Sequence, residues 1–222
     1  MNARNLIRWT GVAAMAAGVI FAAIQPIHPP DELASVTTGA WAVIIAFKLA
    51  MCLLFLLGIA GLYARQVETT GWLGLAGFLL LIVSWWLQTG FVFAELFLLP
   101  LLATQAPTFV DGLLGTIAAG RASEADLGVL PALYTLGVGI PYMLGGLLFG
   151  IATFRAGVLP RWAGGLLAVS GPLAMLMVAL LPHQLERFAA MPMGFAMAWL
   201  GYALWAEQRE TVAEPVLSAA GS

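Results

Sequence analysis

The chain has 222 residues, of which 62% are hydrophobic and only 9% charged. About a quarter of the residues of a soluble domain are charged, so a fold whose whole surface meets water is excluded. A net charge of −2 offers nothing to a nucleic acid, and a single cysteine, Cys52, excludes an internal disulfide and a CxxC metal or redox site.

Six apolar stretches have the ~20 residues that cross a bilayer as a helix. The first, 8–27, follows Arg4 and Arg8 and ends at Pro26-Ile27-His28-Pro29-Pro30. No small-x-small cleavage site follows it, so it reads as a retained helix rather than a signal peptide. The second covers 40–64 and the third 72–99. A long loop, 100–129, separates these from the fourth, 130–154, the fifth, 162–181, and the sixth and shortest, 188–206. Within the loop, Thr108-Phe109-Val110-Asp111 followed by Leu113, Leu114 and Ile117 has the spacing of a short amphipathic helix lying on the outer interface. Ser123-Glu124-Ala125-Asp126 has the form of a capping box that starts the next helix. The expected fold is therefore all-α: an integral membrane bundle of six transmembrane helices over 1–206, with an outer interfacial helix between spans three and four. A disordered cytoplasmic tail, 207–222, follows it.

Basic residues in short loops set orientation. With the N-terminus inside, inner segments hold Arg4, Arg8, Arg65, Arg155, Arg161 and Arg209, and outer segments hold Arg121 and Arg187. Both termini are then cytoplasmic, and Trp9, Trp72, Trp162 and Trp205 fall at the inner boundary, where an indole keeps one edge wet. Lipid gives apolar side chains no reason to leave it, so such helices associate by close packing of small residues. Ala14, Gly18 and Ala22, Gly146 and Gly150, and Gly194 and Ala198 form stripes of this kind. They read first as internal faces and second as the interface of a homo-oligomer. Pro141 and Pro172 are expected to bend the fourth and fifth spans.

Three polar residues stand inside spans: Lys48 on the second helix, and Gln88 and Glu95 seven residues apart on the third. An intramembrane charge is costly and pairs or lines water. At 1.5 Å per residue Lys48 lies ~12 Å below the outer boundary, Glu95 ~6 Å and Gln88 ~16 Å. Lys48 and Glu95 are therefore expected to pair, with Gln88 beneath them. His28 and His183 fall on the outer side, and with Glu186 and one of Asp31, Glu32 or Glu95 they form a weak candidate set of zinc ligands. No histidine lies within a span to ligate haem. No HExxH or GxSxG motif occurs, so no residue is assigned as catalytic and no cofactor is expected beyond that weak zinc set.

Four segments carry a resemblance: Gln25-Pro-Ile-His28-Pro-Pro-Asp31, Gly61-Leu-Tyr-Ala-Arg65, Phe149-Gly-Ile-Ala-Thr-Phe-Arg-Ala-Gly-Val-Leu-Pro-Arg-Trp162, and Trp199-Leu-Gly-Tyr-Ala-Leu-Trp205. Together they resemble the uncharacterised multi-spanning membrane proteins of actinobacteria and related soil bacteria. The resemblance implies a bacterial plasma membrane and no particular activity. Three function classes are carried forward. The first is a non-enzymatic membrane protein that binds an apolar small molecule or a membrane partner. The second is a small-solute or ion transporter using Lys48, Gln88 and Glu95. The third is a metal-dependent membrane hydrolase using His28 and His183.

Overall fold

The computed structural model describes residues 3–119, 124–180 and 183–219. Arg121 and Ser123, and the side chains of His183, Glu186 and every residue from 208 on, lie outside what is described. Among the described residues every regular element is helical. Four helices among the described residues are long and apolar enough to cross a membrane: Asn5–Ile27, Gly39–Leu102, Leu130–Ala156 and Arg187–Glu207.

Helix α1, Ala3–Ile24, ends where Pro26 enters a single 3-10 turn. Bends follow until Thr38, whose Oγ1 accepts the Trp41 backbone N–H at 3.2 Å and caps the next helix. The run Gly39–Leu102 is not one rod, because Gly71 has φ 55° and ψ −153°. That region is essentially open to glycine alone. It splits the run into α2 (39–70) and α3 (72–102), which lie against each other: Lys48 and Glu95, nearly equidistant from Gly71, are in contact. Space is not the constraint there, since a Cβ at Gly71 would meet nothing within 4 Å. Gly71→Ala is thus expected to cost about 1–3 kcal/mol through backbone strain alone. Gly39→Ala, equally unobstructed but at ordinary φ, should be neutral or better in the same thermal-unfolding measurement.

Helix α4, Pro107–Ala119, buries Val110, Leu113 and Leu114 against the rest of the chain. Helix α5, Leu130–Ala156, ends at Gly157, whose left-handed φ of 64° lets its N–H return to the Thr153 carbonyl at 3.2 Å. Helix α6, Arg161–Leu180, and a 3-10 segment, His183–Ala190, lead to α7, Met191–Ala219. Glu207, the first residue after the expected membrane domain, is ion-paired with Arg65 at the end of α2.

The helices close a ring in which α1 sits between α7 and α2, α5 packs on the α2–α3 pair and on α6, and α6 packs on α7. Small residues set the seams. Gly18 of α1 faces Gly194 and Ala198 of α7, and Gly58 of α2 faces Ala14. Gly145 of α5 faces Leu81 of α3, and Gly150 faces Gly164 and Ala168 of α6. All three stripes picked out in the sequence contribute to contacts inside the bundle. The outward faces are apolar too: Phe47, Leu57, Leu79, Trp86, Leu136 and Phe195 are all about half exposed or more. A belt of that extent suits hydrocarbon rather than water.

Two short stretches are wound more widely than an α-helix, Ala94–Leu98 in α3 and Tyr134–Gly139 in α5. Each precedes a proline, Pro100 or Pro141. A proline lacks the N–H for the carbonyl four residues back and clashes with it. Those carbonyls belong to Leu96 and Gly137, each within a widened stretch. Widening moves the carbonyl aside, and in α5 the Ser84 hydroxyl of α3 donates to Val138 O at 2.9 Å. Such local π turns recur at functional sites, and here they carry Glu95 and Tyr134.

Candidate ligand cavity

Glu95 is buried, 1% exposed, and one of its oxygens accepts from Lys48 Nζ at 2.6 Å. The backbone carbonyl of Glu95 also accepts from Trp41 Nε1 at 3.1 Å, so the widened turn is pinned from α2 at two points. The second carboxylate oxygen has no hydrogen-bond partner among the described residues. Gln88, expected beneath the pair, therefore does not bond to that oxygen. It faces the same cavity as Lys48 instead.

That cavity measures about 330 Å³. Its apolar walls come from Phe21 and Ile24 of α1, Met51 of α2, Trp85 of α3, and Val138 and Tyr142 of α5. Lys48, Gln88 and Gln25 add polar groups at the side, and His28, Asp31 and Arg187 add them at one end. Ile117 of α4 closes part of the boundary. Trp85 is held rigidly, stacked on Phe55 at 3.8 Å between ring centres and set edge-on to Phe21 at 5.6 Å.

The polar end is a latch between distant parts of the chain. Arg187 donates to the His28 backbone carbonyl at 2.7 Å and lies 3.5 Å from the Asp31 carboxylate. His28 Nδ1–H donates to the Pro29 carbonyl at 2.7 Å, which leaves Nε2 as an acceptor. Burial holds the His28 pKa down at about 4. The neighbouring Lys48 and Arg187 charges push the same way, while Asp31 and the Pro29 hydrogen bond oppose them.

A folded pKa below the ordinary 6.5 has a defined sign. As pH falls from 6.5 toward 4, the unfolded chain takes up a proton that the folded one refuses, so stability falls through that window and levels off below it. Replacing His28 with Gln should flatten the decline between those values, as read by unfolding at a series of pH values.

Of the residues singled out in the sequence, the structure brings Lys48 and Glu95 together and places Gln88, His28 and Asp31 around one cavity with Lys48. Among the described residues no three His, Cys, Asp or Glu side chains come within metal-binding range. His183 and Glu186 are outside those residues, and Glu32 joins no such group. Arg187, Gln25, Ser84, Trp85, Tyr134 and Tyr142 line the cavity without having been singled out as site residues. Only the tyrosines and Trp85, polar-tipped aromatics inside spans, carried any signal. The opposite end holds a second unforeseen polar contact, Gln66 Nε2 donating to Thr153 Oγ1 at 2.8 Å within the α2–α5 seam. No family model, curated protein or solved structure matches the chain.

Proposed function

We propose that this is a multi-pass protein of a bacterial plasma membrane, without enzymatic activity, that holds a small apolar molecule in the cavity of its bundle. The observation that carries the reading is the cavity itself: about 330 Å³, mostly apolar in its walls, with a few convergent polar groups. Those are the properties of a ligand pocket. In the topology that goes with it, α1, α2, α3, α5, α6 and α7 each cross once. Both termini are cytoplasmic, and the latch of His28, Asp31 and Arg187 lies on the outer side. The arginine bias supports the orientation, and the exposed tryptophans Trp9, Trp72 and Trp162 suit a bilayer boundary. Helix α4 then lies at the outer surface and roofs the cavity with Ile117. The resemblance to multi-spanning proteins of soil bacteria supports the compartment.

Two measurements test this. Reporter fusions after Gln66 and Glu124 should report cytoplasm and periplasm respectively, and the reverse result would sink the topology. For the ligand, durene and duroquinone, neutral tetramethyl rings without and with carbonyl oxygens, are suitable probes. At least one should bind saturably to the full chain in nanodiscs. Ala174→Phe, which fills the cavity from α6, should weaken that binding at least tenfold. If neither ring saturates, or if Ala174→Phe leaves affinity unchanged, the cavity is not a ligand site.

A further inference from the structure

The charges and donors around the cavity narrow what it takes, if the ligand-binding reading above holds. We propose that the occupant is a neutral flat ring bearing carbonyl oxygens, of which a lipid-soluble quinone is the form a membrane supplies.

Charge is the first argument. Lys48 is neutralised by Glu95 at 2.6 Å, and Arg187 faces Asp31 at 3.5 Å. Each of these charges already has its opposite. An ionised ligand would enter a low-dielectric space with no free counter-charge, which is costly. A neutral one pays no such penalty.

Hydrogen-bond capacity is the second. An ammonium group has three N–H donors and no acceptor, and Glu95 takes one of the three on Lys48. The Tyr134 and Tyr142 hydroxyls and the Gln88 amide line the cavity and hydrogen-bond to no described residue. The Trp85 Nε1–H also lacks an acceptor, but it is buried away from the cavity surface and is not one of these donors. Acceptors are fewer. Asp31 is engaged by Arg187, and Glu95, whose second oxygen lacks a partner, is not among the lining residues. His28 Nε2 and the Gln25 and Gln88 carbonyl oxygens remain. Donor hydrogens outnumber them, so the partners in short supply are acceptors. A carbonyl oxygen supplies two lone pairs without bringing a charge.

Shape is the third. Trp85 is fixed by its stack on Phe55, and Phe21 and Tyr142 stand edge-on to it at 5.6 and 6.2 Å. The wall is a rigid aromatic surface. The volume of about 330 Å³ lies at the small end of the ~300–1,000 Å³ range of ligand pockets, enough for one ring system.

The experiment compares three probes on the full chain in nanodiscs, each corrected for partition into empty discs: duroquinone, durene, and ionised 2,3,5,6-tetramethylbenzoate. Duroquinone should bind at least tenfold more tightly than either of the others. The double variant Gln88→Met/Tyr134→Phe removes two donor groups, the amide and the phenol, while keeping side-chain size. It should weaken duroquinone about tenfold and leave durene unchanged. If durene matches duroquinone, or the variant weakens both alike, the donors are satisfied by water and the inference falls while the cavity remains an apolar site. Tighter binding of the benzoate would overturn the charge argument. If no probe saturates, the underlying ligand reading fails with it.

Discussion

Glu95→Gln and Lys48→Met will each destabilise the bundle by about 3–5 kcal/mol, and the double substitution will recover most of that loss. Each residue alone is a charge with nowhere to go. Glu95 is 1% exposed and its carboxylate has Lys48 as its one partner among the described side chains. The Lys48 side chain is 14% exposed. Removing either leaves the other ionised in a dry site, whereas removing both leaves only a polar amide and an apolar chain. The pair is also a poor source of net stability, because desolvating two ions offsets most of their attraction. The double variant should therefore approach the wild-type midpoint in a thermal double-mutant cycle in detergent. Strict additivity would mean that the ion pair does not hold α2 to α3.

Gly18→Leu will be the most damaging single change outside the ion pair, at about 3 kcal/mol or more. In the reverse direction, a Cβ at Gly194 would already lie 2.8 Å from the Gly18 carbonyl. The atoms facing Gly18 belong to the backbone of α7, not to the flexible end of a side chain, so the two helices must part to admit a larger residue. In lipid there is no hydrophobic penalty to push them back, because association rests on contact itself. The same argument applies to Gly150, where an added Cβ would lie 2.6 Å from Ala168 Cα. Gly90 of α3 is the control. It is exposed and an added Cβ meets nothing within 4 Å, so Gly90→Ala should be neutral or stabilise by up to about 1 kcal/mol. Equal effects at Gly18 and Gly90 would show that the seam tolerates repacking.

Several features of the site were legible because they depend on one dimension only. Lys48 and Glu95 lie at similar distances from Gly71, and a hairpin of two straight helices brings equal distances together. The small-residue stripes were legible for a similar reason, since residues four apart lie on one helix face whatever the neighbour. The widened turn of α5 had a signal as well, Pro141 inside a long apolar run, whereas Pro100 reads as the start of the loop after α3. The Pro141 signal points to a disturbed helix, not to the direction in which Tyr134 then faces. The latch was only half legible: His28 and Asp31 stood out as candidate metal ligands, whereas Arg187, 156 residues beyond Asp31 (187 − 31), looks like an ordinary loop charge.

The sequence by itself determined that these helices are apolar enough to cross a membrane, because hydropathy is a sum over residues and needs no tertiary information. It likewise determined that the chain is built of long apolar helices. The tertiary structure alone decided which helices neighbour one another, how each is rotated about its axis, and that Trp85, Gln88, Tyr134 and Tyr142 surround one cavity. A soluble helix announces its inward face by leaving polar residues on the other. Here both faces are apolar, so composition does not say which way is in. Only the fit of Gly18 against Gly194, Gly145 against Leu81 and Gly150 against Ala168 turns each helix to its place and leaves a space between them.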